Sequence, residues 1–239
     1  MTLRATRGYD AHVPPKLPLT SQRLVVVTGK GGAGKTTVAA AAPGLPELLA
    51  LQRIRGWVDA RRLGHPVHDL VLVDAPASGH SLPLLGAPRT LGALARIGPV
   101  ADLLGQIERL LVDHGRTLVC VVTTPEELAI RETIELHREI ASLGLAVSPP
   151  IVNALLPRRF TAADAEALDR LEDACGPHPY LRAARFQLER RRHAEGQVAV
   201  LRRALGLNPV RLPFLFAPAD AAGVAELAAE LAASTGLAA

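Results

Sequence analysis

Short apolar runs alternate along the chain with stretches of helical spacing. Residues 24–28 form an unbroken, mostly β-branched run and predict a buried strand. A glycine-rich segment follows, then an Ala-rich helix start at 38–42. Pro43, Gly44 and Pro46 cut that helix short, because proline removes a helical donor and crowds the preceding turn. Across 47–63 the apolar positions Leu48, Leu51, Ile54 and Val58 recur at helical spacing, with Trp57 expected to pack beside them. Residues 65–68 read as a loop and 69–74 as a buried strand ending in a carboxylate. A turn is expected at 76–80, then two helices within 82–113 broken near Gly98-Pro99. A third strand spans 117–122. A helix at 126–143 opens with Thr124-Pro125-Glu126-Glu127, a cap, a first-position proline and acids in the first turn. Residues 146–153 predict a fourth strand whose prolines suggest an edge position or an irregular start. Thr161 and Asp164 form a capping-box pattern at the next helix. A long arginine-rich helix at 181–205, with a break at Gly196 left open, precedes a last strand at 210–216. Asp220 caps a final helix reaching about residue 233. Strands alternating with helices give an α/β fold, a mostly parallel sheet with helices on both faces. The expected organisation is a flexible arm at 1–20, rich in proline and charge, and one domain at 21–239.

The first strand runs into Gly29-Lys30-Gly31-Gly32-Ala33-Gly34-Lys35-Thr36-Thr37. This fits the phosphate-binding loop G-x-x-x-x-G-K-[ST], in the strand-to-helix context that the motif requires. Glycines let backbone N–H groups turn inward to form a concave nest for phosphate oxygens, and the next helix adds its positive end. Lys35 is placed to reach the β- and γ-phosphates, and the Thr36 hydroxyl to ligate Mg²⁺. ATP with Mg²⁺ is therefore the expected ligand pair. Asp74 stands at the end of its strand, where a carboxylate holds Mg²⁺ through bound water or else caps the following turn.

Composition narrows the class. The chain has 239 residues, of which 49% are hydrophobic and 3% aromatic, so aliphatic side chains must build the core. The net charge of +4 comes from arginine; the only lysines are Lys16, Lys30 and Lys35. Two of three lysines in one loop suggest that a compact ammonium is needed there. Basic residues are spread without a long run, so nucleic-acid binding is not indicated. Cys120 and Cys175 lie far apart with no C-x-x-C, which suggests neither a zinc nor an iron–sulfur site. The lack of a long apolar span or leader-like segment leads to the expectation of a soluble, cytoplasmic protein without stable membrane insertion.

The loop with its extra lysine, Lys30, resembles the deviant Walker A motif of arsenite-translocating (ArsA-type), tail-anchored-protein targeting, partition and division-site ATPases and the nitrogenase iron protein. In that branch the extra lysine crosses a dimer interface to the partner's nucleotide, a role the resemblance gives to Lys30. Asp74-Ala75-Pro76-Ala77-Ser78-Gly79-His80-Ser81-Leu82 is similar to the switch II segment of the arsenite and tail-anchored-protein ATPases. There Gly79 serves as a hinge beside the γ-phosphate and His80 as a phosphate sensor; by itself His80 reads equally as a surface residue. Further similarities are Thr124-Pro125-Glu126-Glu127-Leu128 with Arg131-Glu132-Thr133, Val152-Asn153, and Leu212-Pro213-Phe214. The resemblance implies that Asn153 reads the adenine edge and that Pro213 and Phe214 lie against the base; without it Asn153 is equally a turn residue.

The likeness breaks between Thr37 and Asp74, an interval shortened across 38–68. The family has a further strand there and a switch I aspartate that positions the attacking water. This chain has no second apolar strand ending in an acid, and its acids in the interval are Glu47, Asp59 and Asp69, with Asp59 reading foremost as a helix-surface ion-pair residue. The leading expectation is an Mg-dependent ATPase working as a nucleotide-driven dimer, a homodimer or one with a related subunit, acting on a protein or membrane-protein partner. A nucleotide-binding adaptor with little hydrolysis is the second reading. A membrane-surface partition or division-site ATPase is the third, disfavoured by the acidic, weakly apolar last helix.

Overall fold

The computed structural model describes residues 24–29, 45–75, 78–93, 97–176, 178–216 and 220–235. The expected arm at 1–20 and helix start at 38–42 lie outside them. Contacts divide the chain into two units, the first holding residues 1–120 and 137–148, the second 121–136 and 149–239.

In the first unit, β1 (Leu24–Gly29) pairs in parallel with β4 (Val71–Asp74), Leu24 opposite Val71 and Val27 opposite Asp74. β1 also neighbours β5 (Thr117–Thr123), whose residues up to Cys120 belong to this unit. The apolar run at 24–28 thus becomes an inner strand, while β4 is the edge among the described strands. That position explains a departure from expectation. The 69–74 run was read as a buried strand, yet only its last four residues are extended, and Leu72 is 66% exposed. Among the described residues β4 has a strand neighbour on one side only, and a strand at such an edge is less covered than a central one.

Helix α1 (Leu45–Asp59) buries Leu48, Leu51, Ile54 and Val58, one stripe at helical spacing, and packs on α2 (Ser78–Gly92), α3 (Pro99–Val112) and β4. Trp57 does not join that stripe; it is 45% exposed, with the Arg53 guanidinium 5.5 Å from its ring centre. The stretch expected as a helix tail and loop is instead a small antiparallel hairpin, β2 (Arg61–Arg62) with β3 (His65–Pro66). Leu63 and Gly64 turn it, both with positive φ, 52° and 85°. Helix α2 starts at Ser78 rather than after a turn at 76–80, and it contains Pro83 and Pro88.

In the second unit, the end of β5 pairs with β6 (Ile151–Leu155), which pairs with β7 (Val210–Pro213), all in parallel. β6 is flanked on both sides, so the prolines mark an irregular start and not an edge. Before them, Val147 makes a single bridge to Val119. Helix α4 (Glu127–Ser142) begins one residue later than expected, and the Glu126 carbonyl accepts its first turn from Ile130 N–H at 2.9 Å. Helix α5 (Ala162–Cys175) opens with the expected capping box. Thr161 Oγ1 accepts from the Asp164 amide at 3.2 Å and Asp164 Oδ2 accepts from the Thr161 amide at 2.7 Å. Helix α6 (Pro179–Leu205) runs unbroken through Gly196, an exposed position with no neighbour near it. Ala194, Val198 and Leu201 on α6 pack with Ile130, Ile134, Val152 and Leu155 in one core cluster. Helix α7 (Ala221–Thr235) starts at Asp220, whose carboxylate accepts from Ala222 and Gly223 amides at 3.1 and 3.0 Å.

Candidate functional site

Parallel βα units place loops that handle ligands at the carboxyl ends of the strands. β1 ends at Gly29, the first glycine of the loop motif. Asp74 ends β4 and lies level with Val27, two residues before that glycine. Hydrogen-bonding register therefore brings the first glycine and Asp74 to the same end of adjacent strands. Asp74 is solvent-exposed, so its carboxylate keeps the hydration and reach that holding Mg²⁺ through water needs. Residues Lys30, Gly31, Gly32, Ala33, Gly34, Lys35, Thr36 and Thr37 lie outside the described residues. Gly79 and His80 lie in the first turn of α2 and not in a turn before it.

Asp59, weighed as a replacement for the missing acid, is occupied otherwise. Its carboxylate pairs with Arg55 Nε at 3.3 Å and Arg116 Nη2 at 2.6 Å. The arrangement fits the ion-pair reading taken from its place on the helix.

In the second unit, Asn153 stands in β6, partly buried, and Pro213 ends β7. The strands shift register between Val152 and Leu155, where Ala154 takes φ 60°. Beyond the bulge Leu155 faces Pro213, and its carbonyl accepts from the Phe214 amide at 2.9 Å. The resulting strand ends, with α6, enclose a cavity of about 610 Å³. Thr124, Ala154, Phe186, Arg190 and His193 line it together with Phe214 and Phe216. Phe214 and Phe216 meet edge to face at 5.0 Å between ring centres. The structure thus sets Phe214 in a cavity wall, with Pro213 and Asn153 on the adjoining strands but not in the lining. The volume and aromatic lining suit a flat, partly apolar group. Phe186, Arg190 and His193 were not singled out from the sequence, since only the fold brings α6 against the ends of β6 and β7.

A buried titratable group lies in the first unit. His137 is fully enclosed, with Nε2 3.1 Å from the Ser148 carbonyl oxygen. Burial lowers its pKa, the Ser148 contact acts in the opposite sense, and Arg138 lowers it further. Among the described residues no cluster of His, Cys, Asp and Glu is placed to hold a metal ion. No described helix is long and apolar enough to cross a membrane.

The sequence profile of the anion-transporting ATPase family matches residues 92–173. The ATPase BagA of Mycobacterium tuberculosis is 33% identical over 132 residues, which cover 54% of this chain and 37% of that protein. A Mycobacterium bovis protein, also named as an ATPase, matches with the same identity and coverage. The aligned stretch is thus little more than a third of these relatives' length. The family match falls on α3, β5, α4, β6 and α5, beyond the loop motif that first carried the resemblance. Two separate parts of the chain, the loop motif and residues 92–173, are therefore similar to ArsA-type, anion-transporting ATPases, a family of P-loop NTPases.

Proposed function

We propose that the protein binds ATP with Mg²⁺ at the carboxyl ends of β1 and β4 and hydrolyses it, using nucleotide to switch a dimer. The observation that carries this reading is the parallel register of Val27 with Asp74, which sets the start of the phosphate loop beside a strand-end carboxylate. In the proposed site the amides of 29–36 and the ammonium of Lys35 bind the phosphates, and Lys30 reaches the nucleotide of a partner subunit. Thr36 and Asp74 would hold Mg²⁺, which supplies charge neutralisation for the transferring phosphoryl group. Asn153, Pro213 and Phe214 would receive the base, and Gly79 and His80 would couple the state of the γ-phosphate to α2. The client would be a protein or membrane-protein partner.

The test is phosphate release from Mg-ATP by the purified protein, with Lys35→Ala as the blank. Turnover above the blank supports hydrolysis. Tight ATP binding with turnover equal to the blank rejects hydrolysis and leaves a nucleotide-gated adaptor. A specific observation favours keeping that second reading in view. Asp59 is held in two ion pairs, and the described chain from α1 to β4 has only the short hairpin between them.

A further inference from the structure

A second concave site lies in the same unit as β6 and β7, on the other side of α6's arginine-rich stretch. Four arginines, Arg158, Arg191, Arg192 and Arg211, line a cleft of about 620 Å³ with Phe160 and Leu188 in its wall. Glu195 is the one acidic residue in that lining, and it is shared: its carboxylate pairs with both Arg191 and Arg211. Arg191 also donates to the Leu156 carbonyl, which fixes that guanidinium at the cleft. Among the described residues, the ion pairs do not include Arg158 or Arg192. Asp164, at the start of α5 nearby, is engaged by the amide and hydroxyl of Thr161. Four guanidiniums against one carboxylate leave three positive charges in one concavity.

Like charges gathered at close range oppose the folded state unless an anion offsets them. A single carboxylate ligand would leave most of the excess in place. A phosphate group carries close to two charges and matches the planar fork of arginine in a two-point contact. The cleft volume is in the range of small-molecule sites, roughly 300–1,000 Å³, and not that of a flat macromolecular surface. We propose that this four-arginine cleft binds a small, multiply charged phosphate-bearing molecule, at a site separate from the phosphate loop. Arg158 and Arg192 would supply the free guanidiniums, Arg191 and Arg211 would hold the far side through Glu195, and Phe160 would pack against the ligand's organic part.

The test is titration calorimetry with inorganic pyrophosphate, in EDTA and at constant ionic strength, on the full chain. Lys35→Ala removes the loop's contribution, so the outcome does not depend on the ATPase reading. Saturable binding is expected to persist in Lys35→Ala. It is expected to weaken about tenfold or more when Arg158→Gln and Arg192→Gln are added, the size expected for lost charge-assisted contacts. The melting temperature without ligand should stay level or rise, because repulsion is relieved; a merely structural role would lower it. Each single arginine variant carries the same test at about threefold or more. Absence of saturable binding in Lys35→Ala, or undiminished binding in the arginine variants, overturns the proposal.

Discussion

Replacing Asp59 by Asn separates a structural carboxylate from a catalytic one. Asp59 ends α1 and ties it to the turn before β5 through Arg116 at 2.6 Å, with Arg55 at 3.3 Å. That turn is itself part of the sheet, because the Arg116 carbonyl accepts from the Leu24 amide at 2.7 Å. The side chains are 28–42% exposed, so water screens both pairs. Each exposed pair contributes roughly 0.2–1 kcal/mol, and losing both costs about 1 kcal/mol. For a chain of this size that lowers the melting temperature by about 2–4 °C, less in high salt. Thermal melts at low and high salt read the stability, and phosphate release from Mg-ATP reads turnover. The expected result is the small, salt-sensitive loss with turnover within about twofold of the parent. A fall in turnover of about a hundredfold or more at unchanged stability would refute the reasoning and make Asp59 the group that activates water.

Other consequences follow from packing and titration. Leu201→Ala should cost about 2–5 kcal/mol in denaturant melts, because Leu201 is 1% exposed in the α6–β6 cluster; its neighbour Val200, 37% exposed, should lose less than about 1 kcal/mol on truncation. Asp220→Ala should lower stability by about 1 kcal/mol, since two amides of α7 lose their cap, and a melt unchanged within error would count against that cap. His137 has its folded-state pKa lowered, so its contribution is complete above the unfolded value of about 6.5 and is lost as pH falls below it. His137→Gln should flatten the fall in stability below about pH 6.5, and an unchanged pH profile would contradict the burial argument.

Elements with strong local signals were legible in the sequence. The runs of β1 and β5, the capping box of Thr161 and Asp164, the Asp220 cap and the buried stripe of α1 all follow from spacing and side-chain chemistry close along the chain. What was missed depended on distant neighbours. The exposure of Leu72 goes with the edge position of β4 among the described strands, which its own residues do not encode. The hairpin of β2 and β3 has two residues on each side, too few for an alternating pattern, and only Gly64 hints at its turn. Gly196 was a fair candidate for a helix break, but its exposed site lets α6 continue. For the candidate site, motif spacing gave Gly29 and Asp74, and register brought them to one end of the sheet. The cavity wall from α6 and the four-arginine cleft arise from tertiary assembly of segments as far apart as Arg158 and Arg211.

The central claim is a nucleotide site built from the loop at 29–36 and Asp74. Its most direct test is equilibrium binding of a fluorescent ATP analogue with and without Mg²⁺, for the parent, Lys35→Ala and Asp74→Asn. The expected result is binding by the parent that Mg²⁺ strengthens, loss of binding in Lys35→Ala, and loss of the Mg²⁺ effect in Asp74→Asn. Binding by Lys35→Ala equal to the parent would contradict the claim.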